Sequence, residues 1–322
     1  MIVKELKGGS LSKTVIIQDE IKKVRKYISN SKDREYGLVR WHSQIRKMQS
    51  FRSIVSNSCL PKILDAGVSE DYFYYDMEYL EEYENCLDYL KSSSEITDGD
   101  KVFDGLLEIL KKCKEHEYEP IQGTFWIYIQ EEVISKINFA KSASYIELLD
   151  NNERKRLSNL MDSVIEKISR CEVYLKEVAL NESFNHGNLT LENTMIDSVG
   201  EIKIIDLYFE TYCESWLGDL SQLMQSSLGN YEILNELSEE QFFSIFDQPK
   251  IPDLSYSYLR FREKLNNYID RLEVDDKLCL GIFYASQFIR MFPFKVDKYP
   301  RKAYFFMVKG LQELSEVLDR VK

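Results

Sequence analysis

Paired cysteines and clustered histidines are missing from this chain. Its six cysteines, Cys59, Cys86, Cys113, Cys171, Cys213 and Cys279, are scattered with no CxxC pair, and only three histidines accompany them. That pattern argues against a zinc site or a disulfide framework and for reduced thiols in a cytoplasmic protein. Basic stripes are equally scarce. A net charge of −12 speaks against a nucleic-acid surface, which needs clustered cations to neutralise phosphates. No apolar run approaches the ~18 residues of a membrane span, and the opening Met1-Ile2-Val3-Lys4 lacks the basic-then-apolar order of a secretory signal. The chain holds no internal repeat and no low-complexity linker. With 322 residues, 44% hydrophobic and 30% charged, it can bury a sizeable core as one large domain or two lobes.

Two regions of different character follow. Thr14–Asp19 and Lys23–Ile28 read as a hairpin across the polar Asp19-Glu20. Residues 36–54 place Leu38, Trp41, Ile45, Met48 and Phe51 at helical spacing, and after Pro61 come Ile63-Leu64, a turn at Gly67 and an aromatic strand, Tyr72–Tyr79. Beyond Leu80 helices dominate. The clearest spans Arg154–Leu180, with Leu157, Leu160, Met161, Val164, Ile168, Cys171 and Leu175 on one stripe. A short β excursion around residues 184–209 interrupts them. The expected architecture is a β-rich lobe over residues 1–80 and a larger helical lobe over 81–322, an α+β arrangement.

The β excursion carries the most informative segment, His186-Gly187-Asn188-Leu189-Thr190-Leu191-Glu192-Asn193, followed by the strand-like Glu201–Ile205 and Asp206. One side-chain amide and one carboxylate, at the end of a rigid apolar strand, suit magnesium, which takes few hard oxygen ligands plus substrate phosphates. Phosphoryl transfer needs little more from a protein than positioning and charge neutralisation.

This arrangement resembles the aminoglycoside and choline phosphotransferase-like branch of the protein-kinase-like superfamily, whose catalytic loop reads roughly His-Gly-Asp-x-x-x-x-Asn. Gly187 matches the branch, where protein kinases carry arginine. Asp206-Leu207 resembles its metal-binding segment, and Gly218-Asp219-Leu220 its following helix, where the aspartate braces the catalytic loop. The wording Leu189-Thr190-Leu191-Glu192-Asn193, with Phe288-Ile289-Arg290-Met291-Phe292-Pro293, looks closer to members linked with capsular or other surface-polysaccharide biosynthesis. The resemblance implies a bilobal kinase-like fold, ATP and Mg2+ as cofactors, and a small-molecule or glycan acceptor. It places His186 and residue 188 in the catalytic loop and Asn193 and Asp206 on the metal.

For the nucleotide, the resemblance puts Gly8, Gly9, Ser10 and Ser12 near the phosphates. It makes Lys26 the phosphate-facing lysine of a Val-x-Lys strand. Val24 and Lys26 share one strand face, Lys23 and Arg25 the other. Met77 would border the adenine, with backbone groups of Glu78 and Leu80 at its edge. The helix offers no clean glutamate partner for Lys26; Gln44 stands where one is expected, and Glu35 lies near the helix start. Asn188 is the departure. Asparagine cannot act as a base, although its amide oxygen accepts a hydrogen bond. Three readings follow: a weakened or silent nucleotide-binding pseudokinase, an enzyme using Glu192 or Glu210 as the base, or an engineered Asp→Asn variant.

Overall fold

The computed structural model describes residues 2–6, 12–29, 34–56, 58–69, 71–208 and 212–321. Five strands come first: β1 (Ile2–Leu6), β2 (Ser12–Gln18), β3 (Lys22–Ser29), β4 (Ile63–Val68) and β5 (Tyr72–Glu78). They form one antiparallel sheet in the order β1-β2-β3-β5-β4. Helix α1 (Arg34–Ile54) enters between β3 and β4 and packs against β3 and β5. Its Trp41 indole N–H donates to the Tyr74 carbonyl at 2.8 Å.

Gly67 is not at a turn. It lies inside β4, paired with Tyr74, and a Cβ there would come within 2.7 Å of the Tyr74 hydroxyl. Glycine makes room for a cross-strand tyrosine, and the chain reverses instead beyond Ser69, whose hydroxyl donates to the Tyr72 carbonyl.

After Glu78 the chain passes to β6 (Glu84–Asn85), α2 (Cys86–Ser92), α3 (Ile96–Glu115), β7 (Glu117–Tyr118), α4 (Thr124–Ile129) and α5 (Ser135–Ser142). A π-helical turn, Gln130–Ile134, joins α4 to α5. Then come α6 (Asn151–Glu177), β8 (Glu182–Ser183), β9 (Thr194–Ile196), β10 (Ile202–Ile204), α7 (Trp216–Ser227) and α8 (Tyr231–Glu236). The chain ends with α9 (Tyr256–Ile269), α10 (Val274–Ile289), α11 (Phe292–Lys295) and α12 (Pro300–Leu318). The three-stranded β10-β9-β6 sheet carries the β excursion, and β7 pairs with β8.

Helix α6 begins at Asp150, whose side chain accepts the Glu153 N–H. It buries Leu157, Met161, Val164, Ile168 and Leu175, while Leu160 and Cys171 stay half-buried at the edge of that stripe. Helices α10 and α12 are apolar on most sides because α6 and α7 pack around them. All six cysteines are free thiols. Among the described residues no helix is long and apolar enough to cross a membrane.

Candidate active site

The loop from His186 to Asn193 leaves β8 and ends in a 3-10 turn, Leu191–Asn193, before β9. It has little regular backbone pairing of its own, so its buried N–H groups must find partners elsewhere. One helix face supplies them. Asp219, Gln222 and Ser226 follow each other at three- and four-residue spacing on α7 and are all buried. The Asp219 carboxylate accepts the N–H of His186 at 2.6 Å and of Gly187 at 2.8 Å. Gln222 accepts from Leu189 N–H at 2.6 Å and donates to the Gly187 carbonyl at 2.8 Å. Ser226 accepts from Leu191 N–H at 3.0 Å. Burial pushes the Asp219 carboxyl up to about 7, against the pull of the two N–H groups and of Lys47.

Gly187 sits at φ 83°, and a Cβ there would collide with the Tyr208 carbonyl oxygen. Both conformation and space require glycine. His186 is fully buried; its Nδ1 accepts the Asn188 N–H at 3.1 Å, so Nε2 carries the proton toward the Ile205 carbonyl at 3.0 Å. Burial drives its pKa down to about 3. A ring with both nitrogens hydrogen-bonded and no charge braces the loop.

Asn188 is half-buried, and its side-chain amide bonds no described residue. Its carbonyl accepts from Thr190 N–H at 3.0 Å and from the Asn193 side-chain amide at 2.9 Å. The second contact turns the Asn193 amide oxygen the other way, and Asn193 lines the interlobe cleft. Glu192, between them in chain, is exposed.

Asp206 follows β10 at φ 61°, left-handed backbone that a non-glycine residue adopts at a cost. The turn aims its carboxylate at the cleft, where the side chain keeps 46% of its surface and pairs with the ammonium of Lys26, itself buried. Burial opposes both charges, but each partner outweighs it: Asp206 is lowered, and Lys26 is raised by Tyr75 and Asp206. On β3, Val24 and Lys26 line the cleft while Lys23 and Arg25 face the buried Asp76 behind the sheet.

The cleft encloses about 350 Å³ between the five-stranded sheet and the β9–β10 hairpin. Ser12, Lys26, Met77, Glu78, Leu80, Asn193 and Asp206 all line it. Met195 on β9 does too, a residue that no motif marked. The Glu78 N–H is already given to the Lys62 carbonyl at 2.9 Å, which leaves other backbone groups of the crossing strand to face a ligand. Gly8, Gly9, Ser10 and Glu210 lie outside the described residues.

Gln44 makes no hydrogen bond to Lys26 among the described residues. It is buried between the lobes, accepting from the Tyr75 hydroxyl at 3.4 Å and donating to the Leu207 carbonyl at 3.5 Å. A neutral amide serves two neutral groups there, while the lysine finds its counter-charge in Asp206. Glu35 is exposed at the start of α1. One turn beyond Gln44, Lys47 donates to Asn185 Oδ1, the Tyr208 carbonyl and Glu214 Oε1 at 2.7–2.9 Å, clamping α1 to both ends of the segment that carries the His186 loop. One turn before Gln44, Arg40 makes no hydrogen bond or ion pair with a described residue, and its charge acts on the Lys26–Asp206 pair. Arg40, Gln44 and Lys47 share one face of α1 at i, i+4, i+7, but the helix also carries His42, Arg46, Gln49 and Arg52, so nothing in the sequence set that stripe apart.

No protein family and no curated protein matches this chain. Solved structures do. A spectinomycin phosphotransferase, APH(9)-Ia, in complex with ADP and spectinomycin aligns over 98% of this chain and 92% of its own, at 10% identity and a TM-score of 0.49. The GDP complex of an aminoglycoside 2'-phosphotransferase-IIIa point mutant aligns over the same shares, at 11% identity and 0.50. The second likeness runs through nearly the whole of both chains. The fold is therefore that of the kinase-like aminoglycoside phosphotransferases, a small antiparallel sheet on a larger helical part.

Proposed function

We propose that this chain is a cytoplasmic, ATP- and magnesium-dependent O-phosphotransferase acting on a small hydroxylated molecule or a glycan precursor, weakened by Asn188. One observation carries the reading: Lys26, Asn193 and Asp206, from three separate segments, line a single cleft. In this reading Lys26 neutralises the α- and β-phosphates, and Ser12, on the same cleft wall, adds a hydroxyl beside them. Arg40 adds a second positive charge on the same side. Met77 and Met195 bound the base, with backbone groups near Glu78 and Leu80 at its edge.

Two hard oxygens, the Asn193 amide oxygen and the Asp206 carboxylate, fit a magnesium ion completed by phosphate oxygens and water. Bound there, the ion would neutralise charge building on the transferring group. His186 and Asp219 hold the loop, and residue 188 orients the acceptor hydroxyl. With asparagine the hydroxyl is positioned but its proton is not drawn off. That favours a second reading, a nucleotide-binding pseudokinase working through partners. The glycan acceptor rests on the motif wording around Asn193 and Arg290.

The test is thermal unfolding with and without nucleotide. A ligand held by the native state stabilises it by about 2.7 kcal/mol at a hundredfold excess over Kd. Magnesium-ATP raises the melting temperature, and Asp206→Ala removes most of the magnesium-dependent part. GTP belongs in the same series, because the neighbour of this fold was solved with GDP. No shift with either nucleotide at millimolar magnesium would sink both readings.

A second outcome distinguishes the faces of β3. Lys26→Met weakens ATP binding by about tenfold to a hundredfold, the worth of a charge-assisted hydrogen bond. Lys23→Met leaves affinity unchanged, since Lys23 faces Asp76, which Arg25 still holds through two bonds. Calorimetric titration of both variants decides it; equal losses would show that the phosphates do not sit at Lys26.

A further inference from the structure

The face of α7 that grips the catalytic loop ends at Ser226, and this last rung is built differently. A serine within a helix ordinarily returns its hydroxyl proton to a carbonyl of the same helix. Both nearby serines do so: Ser221 donates to the Gly218 carbonyl and Ser227 to the Leu223 carbonyl, each at 2.6 Å. Ser226 instead donates to Oε1 of Glu232 at 2.6 Å, which leaves its lone pair turned toward the Leu191 N–H at 3.0 Å.

Glu232 lies in the first turn of α8 and is 2% exposed. Its second carboxyl oxygen is buried and has no partner among the described residues. A carboxyl in that state is an expensive way to fill core space, since apolar atoms would serve without an unsatisfied oxygen. What the carboxyl does that an apolar side chain cannot is accept the hydrogen bond of the Ser226 hydroxyl. Leu191 opens the 3-10 turn that ends at Asn193, whose amide is held in turn by the Asn188 carbonyl. The chain Glu232–Ser226–Leu191 therefore reaches the cleft from α8 without touching it.

We propose that Glu232 is a positioning residue: by accepting the Ser226 O–H hydrogen bond it holds the Leu191–Asn193 turn, and with it the Asn193 amide oxygen, at the cleft. Without that acceptor the Ser226 hydroxyl reverts to a carbonyl of its own helix, as its neighbours do, and Leu191 loses its partner. The consequence for catalysis rests on the phosphotransferase reading; the grip on the turn does not.

Amide hydrogen exchange of residues 186–193 in the full chain reads the turn directly. Glu232→Leu speeds exchange at Leu191 on the order of tenfold, the loss of one good hydrogen bond, with exchange in α10 unchanged. Ser226→Ala does the same, the double variant adds nothing further, and Glu232→Gln, which can still accept the hydrogen bond, stays near the parent. In Glu232→Leu and Ser226→Ala the magnesium-dependent gain in ADP affinity shrinks several-fold, while metal-free ADP binding holds.

Unchanged Leu191 exchange in Ser226→Ala, or faster exchange spread through α7 and α10 in Glu232→Leu alone, would overturn the proposal and leave Glu232 as core packing. Should Glu232→Leu fail to fold, Ser226→Ala against Glu232→Gln decides by the same measurement. Faster Leu191 exchange in a chain that binds no nucleotide keeps the positioning role and removes the phosphotransferase reading.

Discussion

Replacing Asn188 with aspartate should raise turnover by roughly 10²-fold or more, the lower range for a positioned general base. The scaffold around the position is already built. The backbone of residue 188 is fixed on both sides, its N–H on the His186 ring and its carbonyl on Thr190 and Asn193. Its side chain bonds no described residue, so an isosteric aspartate enters without breaking a contact. The change adds an anionic acceptor and nothing else.

Affinity for ATP should stay within a few-fold, because Asn188 does not line the cleft that holds Lys26 and Asp206. Labelled ATP with a library of hydroxylated metabolites and sugar precursors measures both forms, including slow transfer to water. A rise with aspartate identifies an otherwise competent enzyme. Tight nucleotide binding with no turnover in either form favours the pseudokinase. Substantial turnover of the asparagine form means another group takes the proton, and Glu192 and Glu210 are then the residues to substitute.

Asp219→Ala should be the most damaging single change to stability in the site. The carboxylate is fully buried and satisfies two backbone donors, His186 N–H and Gly187 N–H. Truncation leaves both orphaned, at about 1–3 kcal/mol each, in addition to the cavity. Urea unfolding should show a loss of about 3–6 kcal/mol, and nucleotide binding should weaken with the loop. A loss under about 1 kcal/mol would mean that the loop finds other partners.

The same residue carries a pH signature. Its folded pKa stands at about 7, above the ordinary carboxylate value of 3.8. The folded state therefore holds a proton that the unfolded chain releases between those values, and stability from this group falls as pH rises through that window. His186 acts oppositely, since its neutral ring is held to about 3 and stability falls as pH drops below its unfolded value. Comparing the parent with Asp219→Asn separates the two. The deficit of the variant should be larger at pH 5 than at pH 8; a pH-independent deficit would show that Asp219 is ionised throughout.

Much of the secondary structure was legible in local pattern. Strand alternation at Val24–Lys26 put the lysine and its neighbour on one face, because a strand has only two. The stripe from Leu157 to Leu175 announced α6 for the same kind of reason. The spacing from His186 through Asn193 to Asp206 carried the loop, the hairpin and the strand end in one short stretch, where local geometry suffices.

What tertiary structure decided lies between distant segments. The partner of Lys26 is Asp206, 180 residues away in the chain, and not Gln44 on the adjacent helix. The loop is held by Gln222 and Ser226 as well as Asp219, and by Lys47 from the other lobe. Gly67 read as a turn because a glycine's freedom is visible in sequence, whereas the tyrosine ring it accommodates belongs to another strand. Hydrogen-bond satisfaction of a buried irregular loop is a property of everything packed around it. Pattern in one segment cannot specify which polar side chains from elsewhere will arrive to meet its N–H groups.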